Sequence, residues 1–247
     1  MSEKTTAIYG KHAVRDVITL FPKAVRTVYC ADDAARAAFK AQGIATESFP
    51  KKLPSDVPHD AVHQGYIATV TLEKLMLPFD TFIKDVSVTN DTAFVILGEL
   101  QDPHNVGAII RSAAAFGIAG VLIPEHRQVQ LTGSVIKASA GMAFRVPLVS
   151  IGNVNTTIRD LKEKGFWIYG LDGEATQSLM DEGFEKPSVF ILGNEGDGIR
   201  QKTLLHCDIP LSIPIAGGVE SLNASVAAAV TFYAWSRKHP SALAAKS

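Results

Sequence analysis

The pattern of apolar positions predicts two structural units. In the first part of the chain, the spacing predicts a helix over Lys11–Leu20, a strand over 24–30, a helix that starts at Asp32 or Asp33, and a strand over 65–70. This alternation is typical of a small α/β unit, which we place at residues 1–72. Residues 73–91, which Pro78 interrupts, are predicted to be a linker.

From residue 92 onward, short apolar runs alternate regularly with segments of helical periodicity. Because the runs are separated by helices, we expect an α/β domain over 92–247 with a mainly parallel sheet. The predicted helices are 105–117, 131–139, 153–164 and 221–238, and the predicted strands are Ala93–Leu97, 121–123, 146–149, 166–171, 189–192 and 209–215.

The junction between the first of these strands and its helix carries polar residues. Asn105 is placed where a helix N-cap belongs, and Arg111 follows six residues later among Ala, Ile and Phe residues. A buried guanidinium needs a partner, because an unpaired buried charge is costly. Arg111 is therefore either a structural residue that pairs with a core carboxylate or part of a functional site.

Unusual turns follow four of the predicted strands. In open parallel sheets, ligands bind at the carboxyl ends of the strands, so these turns form a candidate site. Ser221 is expected to cap the last helix, with Asn223 in its first turn. The glycines at 193, 196 and 198 match neither a dinucleotide-binding motif nor a P-loop. The four turns are 101–105, 171–174, 193–198 and 215–223.

Composition narrows the class of protein. The chain has 47% hydrophobic and 20% charged residues and a net charge of −1, which is typical of a globular protein without strong nonspecific attraction to nucleic acid. The N-terminus lacks a signal-peptide apolar region, and no apolar run reaches the roughly 18 residues that span a membrane. Cys30 and Cys207 are isolated, which indicates a reducing compartment, so we expect a cytoplasmic protein.

A metal site is not expected. His59 and His63 have the i, i+4 spacing of zinc ligands on a helix, but Asp60 stands where a zinc protease needs Glu, and no third ligand is evident. We therefore interpret 59–63 as an exposed polar turn.

Taken together, three motifs resemble those of the SPOUT-fold RNA ribose 2′-O-methyltransferases of the TrmH family. The first is Asp102-Pro103-x-Asn105-x-Gly107-Ala108-Ile109-x-Arg111, the second is Ile191-Leu192-Gly193-Asn194-Glu195-Gly196-x-Gly198, and the third joins Ile213-Pro214-Ile215 to Ser221-Leu222-Asn223-x-Ser225. Near the N-terminus, Ile8-Tyr9-Gly10-Lys11-His12-Ala13-Val14 and His63-Gln64-Gly65 resemble the L30e-like substrate domain of the bacterial 23S rRNA guanosine subgroup.

The resemblance implies a homodimer, a C-terminal trefoil knot in the catalytic domain, and S-adenosylmethionine as cofactor. By motif position, it implies a catalytic set of Arg111, Asn105, Glu195, Ser221 and Asn223. The cofactor contacts that it implies are Leu171, Gly173, Leu192, Gly193, Asn194, Gly196, Ile213, Ile215, Ser221, Leu222 and Asn223.

The chemistry leaves the role of Arg111 open. Methyl transfer to a ribose hydroxyl is an in-line displacement that needs alignment and removal of a proton, but no metal. In this family Arg111 would be the proton acceptor. A guanidinium normally stays charged, however, so gripping the adjacent phosphate and stabilising the developing alkoxide is physically easier.

Two departures from the family pattern bear on the substrate. Phe144 stands where the rRNA subgroup commonly has Glu, and Ala224 replaces a Val of the third motif. We expect an rRNA substrate. The alternatives are a tRNA guanosine methyltransferase, a non-catalytic RNA-binding protein of the same fold, and a nucleotide-dependent α/β enzyme such as a dehydrogenase.

Overall fold

A sheet of eight parallel strands forms the larger part of the protein. The computed structural model describes residues 3–194, 196 and 198–244. The strand order of the larger sheet is β10-β12-β9-β11-β6-β7-β8-β5, and every neighbouring pair is parallel. Its strands are β5 (Leu77–Pro78), β6 (Ala93–Leu97), β7 (Gly120–Pro124), β8 (Leu148–Ile151), β9 (Trp167–Leu171), β10 (Gln177–Ser178), β11 (Ser188–Leu192) and β12 (Ile209–Ser212).

Helices connect these strands, as the apolar periodicity predicts. Consecutive parallel strands need crossover connections, and here most of the connections contain a helix. The helices of this part are α3 (Phe79–Asp85), α4 (Pro103–Ala115), α5 (Gly133–Ala138), α6 (Val154–Glu163), α7 (Gln201–Leu204) and α8 (Ala224–Ser236).

The N-terminal residues form a separate four-stranded mixed sheet with the order β1-β4-β2-β3. Strand β4 pairs antiparallel with β1 and β2, and β2 pairs parallel with β3. The elements are β1 (Thr5–Tyr9), α1 (Lys11–Leu20), β2 (Val25–Cys30), α2 (Asp33–Ala41), β3 (Thr46–Ser48) and β4 (Tyr66–Thr71).

Local sequence explains where several helices begin and end. Helix α1 buries Val14, Val17 and Ile18 on one face. The Asp32 side chain accepts a hydrogen bond from the Ala35 amide and caps α2, as predicted. After α4, Gly117 adopts a φ of +76°, a left-handed conformation that suits glycine and ends the helix where expected.

Two predicted helix caps are wrong. Helix α4 begins at Pro103, and the Asp102 side chain caps it by accepting a hydrogen bond from the His104 amide at 2.8 Å. Proline favours the first helical position, so the Asp-Pro pair outcompetes Asn105. Likewise Asn223, and not Ser221, caps α8 by accepting from the Ser225 and Val226 amides.

Several short elements were not predicted, among them β3, β10 and α7. Strand β1 was missed, because its first two residues are polar threonines. The predicted linker 73–91 is not featureless: β5 pairs with β8 at the edge of the larger sheet, and α3 follows directly. The division at residues 72 and 92 therefore stays a prediction, since part of the linker belongs to the larger sheet.

One apolar core runs through both sheets. It joins Ile8 and Val14 of the N-terminal part to Val95 and Ile110 of the larger part. Fully burying one such side chain contributes about 1.5–3 kcal/mol. A second cluster around Phe94 and other apolar residues covers the opposite face of the larger sheet.

The described part of the chain contains no helix that is both long enough and apolar enough to cross a bilayer. Within the same part, no group of three or more His, Cys, Asp or Glu residues is arranged to hold a metal. Residues 59–63 form no helix, and His63 accepts a hydrogen bond from the Gly65 amide. Both cysteines are free, and burial raises the pKa of the Cys207 thiol to about 12.

A polar contact joins the C-terminal residues to the segment just before β6 of the larger sheet. The His239 ring, which stacks on Trp235, contacts Asp91 through Nδ1 at 2.7 Å and the Phe184 carbonyl through Nε2 at 3.0 Å. Ser241 also donates to Asp91. The hydrogen bonds from Ser241 and His239 lower the pKa of the Asp91 carboxyl below its usual value.

This contact predicts a pH-dependent stability. Because the folded-state pKa of Asp91 is lowered, its contribution is present above the unfolded pKa of about 3.9 and is lost as pH falls through the folded value. At pH 7, Asp91→Asn should lower the free energy of unfolding by about 1 kcal/mol, a modest loss because the carboxylate is 45% exposed. Urea unfolding between about pH 7 and about pH 3 measures this difference, which should shrink at acid pH.

The matched control is Asp85→Asn. Asp85 is exposed and has no ion pair or side-chain hydrogen bond with any described residue. An Asp91→Asn effect that stayed constant across this pH range would contradict the assignment.

Candidate active site

The four unusual turns lie side by side. Strands β12, β9, β11 and β6 are consecutive neighbours in the larger sheet, and all four run in the same direction. The turns that follow them therefore leave the sheet at one edge, where ligands of open parallel sheets bind. This confirms the prediction that they share one edge of the sheet.

Three of these turns and the start of α8 enclose a cavity. It holds about 900 Å³ of empty space, including the part that opens to solvent. Its walls are mostly leucine, isoleucine and alanine side chains together with glycine-rich backbone. The lining residues are Leu171, Asp172, Gly173, Leu192, Gly193, Asn194, Gly196, Gly198, Leu211, Ile213, Ile215, Glu220, Ser221, Leu222, Ala224 and Ala227.

All of the cofactor contacts expected from the resemblance line this cavity except Asn223. That these residues bind a cofactor stays a prediction. Sequence reasoning missed Leu211, which is inside a strand, and the alanines at 224 and 227, whose small side chains leave space at the start of α8. It also missed Asp172, Gly198 and Glu220, although all three belong to the turns already singled out.

The turn after β11 is closed on itself. A Cβ atom on Gly193 would lie 2.2 Å from the carbonyl carbon of Gly198, so only glycine permits this approach. The Asn194 amide donates to the Gly198 carbonyl at 3.1 Å, and the Asn194 side chain accepts from the Gly196 amide at 2.8 Å. Glu195, a predicted catalytic residue, lies outside the described residues.

A side-chain hydrogen bond joins α4 to the last helix, α8. Asn223 donates from Nδ2 to Oδ1 of Asn105 at 3.0 Å, across 118 positions of sequence. Asn105 is only 8% exposed, on the first turn of α4. Asn223 therefore does two things: it caps α8 with Oδ1 and holds Asn105 with Nδ2. The structure thus brings two of the predicted catalytic residues into contact.

Arg111 is exposed and is not among the residues that line the cavity. On α4, at about 100° per residue, it lies about 150° from the centre of the buried face, which is formed by Asn105, Val106, Gly107, Ile109, Ile110 and Ala113. It forms no ion pair or side-chain hydrogen bond with any described residue. The structural interpretation, in which Arg111 pairs with a core carboxylate, is therefore wrong.

The turns after β6 and β11 are held against each other. A Cβ atom on Gly98 would lie 2.1 Å from the Leu192 carbonyl oxygen, so the two backbones are in contact. One residue later, Glu99 adopts a left-handed φ of +62° and pairs with Arg200 at 2.6 Å. A non-glycine residue in this conformation is uncommon, and the ion pair stabilises it here.

The charges of the cavity favour a cation over a phosphate. Its described lining contains two carboxylates, Asp172 and Glu220, and no lysine or arginine. A dinucleotide would bring phosphates, which the two carboxylates would repel and for which the described lining offers no basic side chain. An apolar cavity rimmed by carboxylates instead fits a ligand with a flat base and a positive centre, as S-adenosylmethionine has. These features are compatible with an α/β enzyme that binds this cofactor at the sheet edge.

Comparison with known proteins agrees with this class. The model of the SpoU rRNA Methylase family matches residues 92–233. A 23S rRNA (guanosine-2′-O-)-methyltransferase RlmB from Vibrio parahaemolyticus is 35% identical over 234 residues, which cover 92% of this chain and 94% of the relative. The chain therefore belongs to the SpoU rRNA methylase family.

Solved structures share the fold. The SpoU methyltransferase AviRb from Streptomyces viridochromogenes, solved in complex with AdoMet, superimposes with a TM-score of 0.79 at 23% identity. The aligned region covers 96% of this chain and 91% of the AviRb chain. The TrmH/SpoU tRNA modifying enzyme of A. aeolicus superimposes with a TM-score of 0.54 at 23% identity. The aligned region covers 62% of this chain and 78% of the A. aeolicus chain.

The two roles of Asn223 can be separated by substitution. Asn223→Asp keeps the capping acceptor but cannot donate to Asn105, whereas Asn223→Ala loses both interactions. We expect Asn223→Ala to lower the free energy of unfolding by about 1 kcal/mol and Asn223→Asp to leave it nearly unchanged. Both variants should lose methyl transfer. Urea unfolding and a methyl-transfer assay measure the two effects, and full activity in Asn223→Asp would argue against a role for the Asn105 contact.

Proposed function

We propose that this protein transfers a methyl group from S-adenosylmethionine to the 2′-hydroxyl of a ribose in 23S rRNA, at a guanosine. The observation that carries the proposal is the apolar, carboxylate-rimmed cavity at the sheet edge, beside a buried Asn105. Membership of the SpoU rRNA methylase family supports it, as does the 23S rRNA relative that matches nearly the whole chain.

The cofactor fits the residues that are present. Leu171, Leu192, Ile213 and Leu222 offer apolar surfaces to the adenine ring, and the closed turn at Gly193 offers backbone groups to its polar edge. Asp172 and Glu220 balance a positive charge at the rim. When bound, S-adenosylmethionine supplies a methyl group on a positively charged sulfur.

Arg111 is proposed to act on the RNA. Its exposed guanidinium is free to grip the phosphate next to the target ribose. Because an arginine stays charged, we assign it to stabilise the developing negative charge on the ribose oxygen and not to accept its proton. Asn105 and Asn223, and Glu195 and Ser221 by motif position, are proposed to complete the catalytic set.

The N-terminal part favours rRNA over tRNA as substrate. The rRNA relative matches 92% of this chain, whereas the tRNA modifying enzyme covers less than two thirds of it. We propose that residues 1–72 form an L30e-like domain that binds the RNA. We also propose a trefoil knot in the C-terminal part and a cytoplasmic location, where the rRNA substrate is made and where cysteines stay reduced.

A homodimer is proposed through α8. This helix buries Phe232 and Trp235 on one face, yet its opposite face is also apolar: Val226, Val230 and Tyr233 are 47%, 37% and 54% exposed. A helix that is apolar all round normally has both faces covered. Tyr233 contacts Phe116, edge to face, with 5.9 Å between ring centroids, so the stripe adjoins the end of α4.

The assignment of Arg111 predicts a selective loss. Arg111→Ala should lower the rate of RNA methylation by about 100-fold or more, because one transition-state contact is worth about that factor. Cofactor affinity should stay unchanged, since Arg111 does not line the cavity. Transfer of a labelled methyl group and calorimetry measure the two quantities. Arg159→Ala, at an exposed arginine on α6, is the control, and normal turnover in Arg111→Ala would overturn the site.

The dimer surface predicts a change of oligomeric state. Val230→Glu places a charge in the middle of the apolar stripe, so the variant should be a monomer in light scattering, while the wild type is a dimer. The control is Leu205→Glu, at a leucine that is 75% exposed but lies outside the stripe. A dimeric Val230→Glu or a monomeric wild type would contradict the proposal.

A further inference from the structure

Helix α5 is packed tightly on two sides. On one side is α4, which carries Asn105 and Arg111: a Cβ atom on Gly107 would lie 2.4 Å from the Ala138 Cβ and 2.8 Å from the Val135 carbonyl oxygen. On the other side is β1 of the N-terminal sheet: a Cβ atom on Gly133 would lie 2.1 Å from the Ala7 carbonyl oxygen. Each contact tolerates only glycine, so α5 cannot shift relative to α4 or β1 without a steric clash.

A polar contact fixes the other end of α5. Lys137 donates from Nζ to the Val62 carbonyl oxygen at 2.7 Å, across 75 positions of sequence. The same ammonium lies 5.3 Å from the centroid of the Tyr9 ring, within range of a cation–π interaction. Both partners belong to the N-terminal part, so α5 is anchored to that part along its length.

The turn after α5 adds an apolar contact. Phe144 is 6% exposed, and its ring centroid lies 6.0 Å from that of Phe21, which follows α1. Phe144, which stands where the resemblance leads us to expect Glu, therefore contributes an apolar contact to the N-terminal part.

The covalent connection between the two parts is also short. Five residues, 72–76, separate β4 from β5, and Leu72–Lys74 form a 3-10 turn. Leu75 is 5% exposed and belongs to the core shared by both sheets. The connection therefore offers little freedom for the N-terminal part to move relative to the larger sheet.

We propose that Gly133, Lys137 and Phe144 are positioning residues, which fix the N-terminal part at one distance and orientation from α4. RNA that is bound to the N-terminal part is then held in one position and orientation relative to Arg111. The inference rests on the proposed function, because it concerns where the RNA lies. Close-packed contacts transmit displacements instead of absorbing them, and a misplacement of about 1 Å can cost about 100-fold in rate.

The decisive variant is Gly133→Ala. It changes no charge, suits the first turn of a helix, and inserts one methyl group against the Ala7 carbonyl. We expect kcat/KM for RNA to fall by between about 10-fold and 100-fold through a lowered kcat, because the bound RNA is no longer aligned with Arg111. The KM for S-adenosylmethionine and its calorimetric affinity should stay within about twofold of the wild type. The matched control, Gly152→Ala, meets no atom within 4 Å and should behave as the wild type.

A second pair of variants covers the case in which Gly133→Ala misfolds. Lys137→Met and Phe21→Ala remove a contact between the two parts without adding an atom, and each should lower the kcat of RNA methylation while leaving the KM for S-adenosylmethionine unchanged. Lys137→Arg, which keeps the charge and a donor, should recover most of the loss. Normal RNA kinetics in Gly133→Ala, or in both second variants, would overturn the inference.

The test separates this inference from the proposed function. Small-angle X-ray scattering of the wild-type protein should fit one rigid arrangement of the two parts, whether or not the protein methylates RNA. Scattering that requires a mobile N-terminal part would overturn the inference alone. Absence of methyl transfer from a rigid wild-type protein would overturn the proposed function.

Discussion

The parallel direction of four adjacent strands is the constraint on which the site depends. Because β12, β9, β11 and β6 are neighbours and run the same way, turns that are far apart in sequence must leave the sheet together. Those turns have little regular structure of their own. Glycine at 98 and 193 lets their backbones touch, and the Glu99–Arg200 ion pair and the Asn105–Asn223 hydrogen bond join their flanks. The site is thus held by contacts between the turns themselves.

The two ends of α4 lie in different surroundings. Its first turn is buried and bonded to α8, so Asn105 belongs to the cavity side. Arg111, almost two turns later, points to solvent, where a large anionic substrate can reach it. Between them, Gly107 rests on α5, which in turn rests on the N-terminal sheet. One helix therefore links the cavity at the sheet edge, the exposed Arg111 and, through α5, the N-terminal part.

Periodicity predicted most of this architecture, and its failures have physical causes. Helix α1 was predicted with its exact bounds, because its apolar residues recur at helical spacing on one face. Strand β1 depends on pairing with β4, which no local pattern reveals. The caps at Asn105 and Ser221 failed because several polar residues compete within one turn, and backbone geometry decides among them. Arg111 was expected to be buried because its neighbours are apolar, but it is exposed, since the face of α4 that packs is decided by long-range contacts.

Some features of the site could not be predicted from sequence. The order of the strands, and hence the adjacency of the four turns, is set by long-range packing. The absence of basic residues from the described cavity lining is visible only once the residues that line the cavity are known. The resemblance nevertheless named most of the lining residues by motif position, whereas residue type alone marked only the turns that contain them.

The central claim is that this chain methylates a ribose in 23S rRNA. The most direct test is mass-spectrometric mapping of ribose methylation in rRNA and tRNA from a strain that lacks the gene. The account predicts the loss of one methyl group at a guanosine of 23S rRNA, with tRNA unchanged. Reintroducing the wild-type gene should restore that methyl group. Unchanged methylation in both RNA classes would contradict the account.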